Sequence, residues 1–106
     1  MTNVSISKNG RRYTLDIEGH AGFNPGNDIV CAAVSMLACT LAATLEESDS
    51  KAYTDTQEVT LEEGNVHIVF DARMPFAGKL IIDQIRIGFM LLAEEYPQNI
   101  NLCLAL

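Results

Sequence analysis

Residues 19–35 read Gly19-His20-Ala21-Gly22-Phe23-Asn24-Pro25-Gly26-Asn27-Asp28-Ile29-Val30-Cys31-Ala32-Ala33-Val34-Ser35. The stretch begins where a strand-like alternation stops and ends inside an uncharged apolar run, so it marks a strand-to-helix junction. Gly22, Asn24, Pro25, Gly26 and Asn27 cannot extend a regular element, which makes the middle a turn-rich loop. Asp28 stands directly before the apolar run and, with Asn27, has the chemistry of an N-cap. Cys31 then falls in the first helical turn. Unpaired N–H groups and the positive end of the macrodipole favour an anion there, so a thiol at that position should ionise more readily than a free one. A histidine across the loop, His20, would help further. The glycines and the proline also predict a loop over 21–27 that moves and closes over a bound molecule.

Upstream, Val4 and Ile6 alternate with polar neighbours, and Tyr13, Leu15 and Ile17 do so again after Asn9-Gly10. That is the pattern of a β-hairpin with Asn-Gly at its turn, and its second strand delivers His20 at its end. Downstream, the apolar run continues as a helix to about Glu47, with Ile29, Val30, Ala32, Ala33, Met36, Leu37, Leu41 and Leu45 nearly all round it. Such a helix needs covering on more than one side, by the sheet and by a second helix or a second subunit. Ser48 to Ser50 break it, and Lys51 to Leu61 alternate weakly as a strand with one wet face. Gly64-Asn65 turns the chain into a strand with Val66, Ile68 and Phe70 on one side and His67 on the other. After Met74-Pro75, the stripe Ile81, Ile82, Ile85, Phe89, Leu92 and Tyr96 has helical period and Pro97 stops it. Asn99 to Leu106 closes the chain as a last strand.

The order ββαββαβ predicts an α/β domain over 1–106, with two helices packed on a mainly antiparallel five-stranded sheet. At 106 residues the chain supports one core and not two.

The Gly19-His20-Ala21 start, the gap, and the run Asp28-Ile29-Val30-Cys31-Ala32-Ala33-Val34-Ser35 closely resemble the ribosomal-processing cysteine protease family, often called Prp. The resemblance extends to the chain's length and its order of elements. It implies that His20 and Cys31 are the catalytic pair, and it places the aspartate and serine of the motif on Asp28 and Ser35 as supporting residues. It further implies a homodimer that removes the N-terminal extension of a large-subunit ribosomal protein, a basic substrate. No cofactor and no metal enter that chemistry.

Composition bounds the alternatives. With 7 Lys and Arg against 14 Asp and Glu, the net charge is −7. That argues against direct nucleic-acid binding, which needs clustered cations, and suits a basic protein partner. Three cysteines, Cys31, Cys39 and Cys103, without CxxC spacing suggest neither a disulfide framework nor a zinc site. With no basic-then-apolar leader, the expected location is the cytoplasm. Ile29 to Leu45 is uncharged over 17 residues but rich in Ala, Thr and Ser and flanked by acids, so no membrane association is expected.

Two further functions compete. A non-catalytic acidic dimeric binding protein associated with ribosome assembly would use Cys31 merely as a helix residue. A thiol redox protein would need a resolving thiol near Cys31, yet Cys39 lies eight residues along the same helix, about 12 Å away by its rise, too far for a disulfide. Cys103, on the face of the last strand opposite Ile100, Leu102 and Leu104, reads as structural, as does Cys39, a small hydrophobe among apolar residues of the helix, and His67 reads as a solvated or hydrogen-bonded side chain.

Overall fold

The computed structural model describes all 106 residues. Strands β1 (Thr2–Asn9) and β2 (Arg12–Glu18) form the hairpin, helix α1 (Ile29–Glu46) follows the loop, and β3 (Thr54–Glu62) and β4 (Asn65–Ala72) form a second hairpin. Helix α2 (Pro75–Glu95) and β5 (Ile100–Ala105) complete the chain. The sheet runs β3-β4-β2-β1-β5, antiparallel throughout except for the β1–β5 pair, which is parallel. This is the expected architecture.

Alternation decides which face is covered. Val4, Ile6, Tyr13, Leu15, Ile17, Ile68, Phe70 and Ile100 all join one core with the buried faces of α1 and α2. The helices therefore lie on one side of the sheet, and Tyr13 stacks on Phe70 with centroids 5.3 Å apart. Helix α1 has the length and hydropathy of a membrane span, 18 residues at mean hydropathy 1.9. One face of it, Val30, Val34, Ala38, Leu41, Ala42 and Leu45, is buried within this core. The near all-round apolarity expected from sequence therefore resolves into one covered face and one carrying exposed Ile29 and Met36.

Several boundaries differ from expectation. The first hairpin turns at Gly10-Arg11, because Asn9 already pairs with Arg12. Only Gly10 takes positive φ. Moving the turn one residue keeps the same apolar face while giving Val4 a partner in Ile17, so pairing extends to the strand's end. Residues 51 and 52 belong to a short 3-10 turn, and β3 begins at Thr54. The second hairpin turns at Glu63-Gly64, with Asn65 inside β4. Pro75 is the first residue of α2, a place that needs no N–H donor, and does not separate the helix from the strand. Cys39, expected to sit as a small hydrophobe among apolar residues, is exposed, and so is Cys103. Cys39 falls on the uncovered face of α1, and Cys103 on the face of edge strand β5 opposite buried Ile100.

On the open face of the sheet, His67 Nδ1 meets Asp16 of β2, and its Nε2 lies 2.8 Å from Glu58 of β3. His67 is thus a hydrogen-bonded surface side chain. The bond to Asp16, with the charges of Asp16 and Glu58, raises its pKa above the ordinary imidazole value of 6.5 against a partial burial that lowers it. A group whose pKa rises on folding stabilises fully below its unfolded value, and that contribution is lost as pH climbs through the folded one. His67→Gln should therefore lower the thermal midpoint more at pH 6 than at pH 9. An equal deficit at both pH values would show that the charged clamp contributes nothing.

Candidate active site

The loop from β2 to α1 is built around Asp28. Its Oδ1 accepts from Val30 N and Cys31 N, both at 3.0 Å, which makes it the N-cap of α1. Its Oδ2 accepts from Phe23 N at 2.9 Å and Asn24 N at 3.4 Å. One carboxylate therefore fixes the start of the helix and folds the preceding loop back onto it. These bonds, the one from Cys31 N–H foremost, hold the Asp28 carboxyl below the usual carboxylate range.

The loop has further ties. Ala21 is buried, its N–H donates to Cys31 Sγ at 3.2 Å, and its carbonyl accepts from Asn99 Nδ2 at 3.0 Å. Phe23 meets Tyr96 edge-on, centroids 5.3 Å apart. Residues 21–24 of the loop expected to close over a bound molecule are thus held by the helix cap, the thiol and the end of α2, and Asn27 N–H donates to the Asn24 carbonyl at 3.0 Å.

His20 follows a backbone that only glycine allows. Gly19 has φ +88°, and a Cβ there would stand 2.7 Å from the carbonyl oxygen of Met1. Gly19 N–H also donates to the Gly64 carbonyl at 3.0 Å, which ties the end of β2 to the β3–β4 turn. Gly64, at φ +73°, lies so near the His20 ring that a Cβ would sit 3.0 Å from Nε2. The imidazole thus packs on a bare stretch of the second hairpin.

His20, Asp28, Cys31 and Ser35 all line one cavity of about 550 Å³. Of these, Cys31 is half-buried, while His20 and Ser35 are exposed. The structure brings all four named residues to one place. They are not all bonded to one another: no hydrogen bond joins His20 to Cys31 Sγ or to Asp28, and Ser35 makes none with its side chain. A thiol and an imidazole facing one cavity are the parts needed for nucleophilic acyl transfer, whose hydrogen bonds commonly tighten only when substrate binds.

Three N–H groups at the start of the helix are engaged and are not free to serve an oxyanion. Val30 and Cys31 N–H donate to Asp28 Oδ1, and Ala32 N–H donates to the Asp28 carbonyl at 3.1 Å. Gly22 and Gly26 also line the cavity, and their N–H groups make no hydrogen bond.

Sequence reasoning missed the opposite wall. Glu62, Glu63, Gly64 and Asn65 line the cavity because β4 pairs with β2, setting Asn65 beside Glu18 and bringing the turn to His20. A Gly in a hairpin turn signals the turn itself. Only the strand order shows where that turn lands.

The family model described as cysteine protease Prp matches residues 1–101. No curated protein sequence matches the chain. Among solved structures, the chain is similar to an essential ribosomal processing protease Prp from S. aureus in complex with a covalently linked product peptide. Identity is 22%, the TM-score is 0.74, and the match covers 98% of this chain and 99% of that one. The same protease with a substrate peptide matches at 20% identity and TM-score 0.70, with 98% and 99% covered. The protein SMU.848 from Streptococcus mutans matches at 22% and 0.72, with 99% and 97% covered. These likenesses establish a shared fold.

Proposed function

The chain belongs to the cysteine protease Prp family, and from that premise we propose that Cys31 and His20 are its catalytic pair and that its substrate is the extended precursor of a large-subunit ribosomal protein. The observation that carries the catalytic reading is the shared cavity, in which the thiol of α1 and the imidazole beyond β2 face the same space. The Cys31 thiolate attacks the scissile carbonyl carbon, with its proton held on His20. The tetrahedral oxyanion then collapses, the C–N bond breaks, and His20 gives that proton to the leaving amine. Water, deprotonated by His20, hydrolyses the acyl-enzyme and frees the thiol. The cavity's unpaired Gly22 and Gly26 N–H groups are the donors we assign to the oxyanion. Asp28 acts through geometry, bracing loop and helix start, and touches no reacting atom.

The substrate reading is supported by the S. aureus proteases of the same fold, described as ribosomal processing enzymes with bound peptides. A net charge of −7 suits a basic partner. Incubation with the unprocessed ribosomal protein of the same organism, read by mass spectrometry, should yield one shortened chain with a new N-terminus. An untouched precursor, where short peptides are still cut, would sink the substrate reading and leave the catalytic pair standing.

We also propose a homodimer. On the face of α2 opposite its buried side, Phe76, Leu80, Ile87 and Leu91 form one exposed apolar stripe, Phe76 being 76% exposed. Light scattering should then report about twice the chain mass of 11.6 kDa, and a value of one chain mass at micromolar concentration would count against the stripe as an interface.

A further inference from the structure

The peptide between Ala21 and Gly22 has a single hydrogen-bonded tie. Its carbonyl accepts from Asn99 Nδ2 at 3.0 Å, and its N–H, that of Gly22, makes no hydrogen bond. The bond from Ala21 N–H to Cys31 Sγ belongs to the peptide before it. Sterics do not hold the plane either, because Gly22 sits at φ +69° in open space, where even a Cβ would meet nothing within 4 Å. A glycine beside a peptide lets that peptide turn over at little cost. Among its hydrogen bonds, only the one from Asn99 fixes which way it faces.

Asn99 is itself braced. It stands in the connection between α2 and β5, 78 residues along the chain from Ala21. Its own N–H donates to the Tyr96 carbonyl at 3.0 Å and its carbonyl accepts from Thr2 N–H at 2.9 Å, so the end of α2 and the start of β1 both hold its backbone. The carbonyl it binds belongs to a residue only 2% exposed, where a lost donor leaves a buried oxygen unpaired. The peptide is trans, so its C=O and N–H point in opposite directions. The Gly22 N–H therefore points away from Asn99, and Gly22, unlike Asn99, borders the cavity that holds the thiol.

We propose that Asn99 is a positioning residue for the reaction: by holding the Ala21 carbonyl it aims the Gly22 N–H at the oxyanion of the tetrahedral intermediate. This role rests on Cys31 and His20 being the catalytic pair and on Gly22 as an oxyanion donor. It adds to the site a residue that touches no reacting atom and comes from the far end of the chain.

Two variants test it. Asn99→Asp keeps the shape and replaces the donor by an acceptor, and Asn99→Leu removes the polar group at similar volume. With circular dichroism showing each folded at the assay temperature, kcat should fall by about 10²-fold while KM stays within about twofold. A peptide aldehyde with the residues that precede the cut gives a second readout. Its carbonyl carbon bonds Cys31 Sγ, the thiol proton passes to His20, and its oxygen takes the oxyanion's place. Aldehyde affinity should fall in both variants about as far as kcat, whereas the matching peptide alcohol, which forms no bond to sulfur, should bind as before. In the native chain, the Gly22 amide proton should move downfield in the NMR spectrum on binding the aldehyde and not the alcohol. An unmoved Gly22 resonance, equal losses of aldehyde and alcohol affinity, or native kcat in either folded variant overturns the role. Native kcat in those variants beside an inactive Cys31→Ala sinks this role alone, whereas cleavage by Cys31→Ala sinks the catalytic pair and this role with it.

Discussion

Cys31→Ala is expected to abolish peptide cleavage, lowering kcat by about 10⁴-fold or more, while the protein keeps its fold. The fold should survive because the thiol is only half-buried and because its one hydrogen bond is accepted from Ala21 N–H at 3.2 Å. Alanine keeps the Cβ and leaves the Asp28 cap untouched, since that cap acts on backbone groups. His20→Ala should remove activity to a comparable degree. Its side chain is exposed, and what it leaves behind is space over Gly64 rather than a hole in the core. By contrast, Cys39→Ala, Cys103→Ala and His67→Ala alter groups on the uncovered face of α1, on the edge strand and on the open face of the sheet, so cutting should continue. The two losses should appear in kcat, because a nucleophile and a proton carrier act in the transition state rather than in ground-state binding.

The second large effect concerns stability. Phe89 is fully buried in the core between α2 and the sheet, where Ile82, Ile85 and Phe70 are also buried. Phe89→Ala removes a ring and leaves a cavity, at a cost of about 3–5 kcal/mol. Domains of this size are commonly stable by about 5–15 kcal/mol, so the variant should lose a large part of its margin and unfold at markedly lower urea. A loss below about 1 kcal/mol would mean that α2 does not pack on the sheet as described. The contrast with Cys31→Ala is diagnostic, because one change removes chemistry and keeps the fold while the other does the opposite.

Period and punctuation carried most of the architecture. Val4, Ile6, Tyr13, Leu15 and Ile17 alternate cleanly, so the first hairpin and its covered face were legible, and Ile82, Ile85 and Phe89 marked the buried side of α2. The Ala-rich helix α1 was less readable, since small residues satisfy a covered and an open face alike, which is why Cys39 read as a small hydrophobe among apolar neighbours. Turn positions shifted by one residue because parity preserves the apolar face in either register, so only the full length of pairing selects between them. For the site, local signals sufficed for His20, Asp28 and Cys31, which lie within one loop and one helical turn. They could not reveal Glu62, Glu63 and Gly64, whose arrival depends on β4 pairing with β2 across some 45 residues of intervening chain, a distance at which local pattern carries no signal. The free or engaged state of the first-turn N–H groups was equally hidden, because Asp28 can cap a helix with one oxygen or two.

The most direct test of the account is to treat the intact protein with a peptidyl chloromethyl ketone carrying the precursor's residues before the cut, and then map the adduct by tryptic mass spectrometry. Reactivity governed by exposure alone would favour Cys39 and Cys103, both exposed, over the half-buried Cys31. The account predicts one adduct per chain on Cys31, abolished in His20→Ala and leaving Cys39 and Cys103 free. Labelling that falls on Cys39 or Cys103 while Cys31 stays unmodified would contradict it.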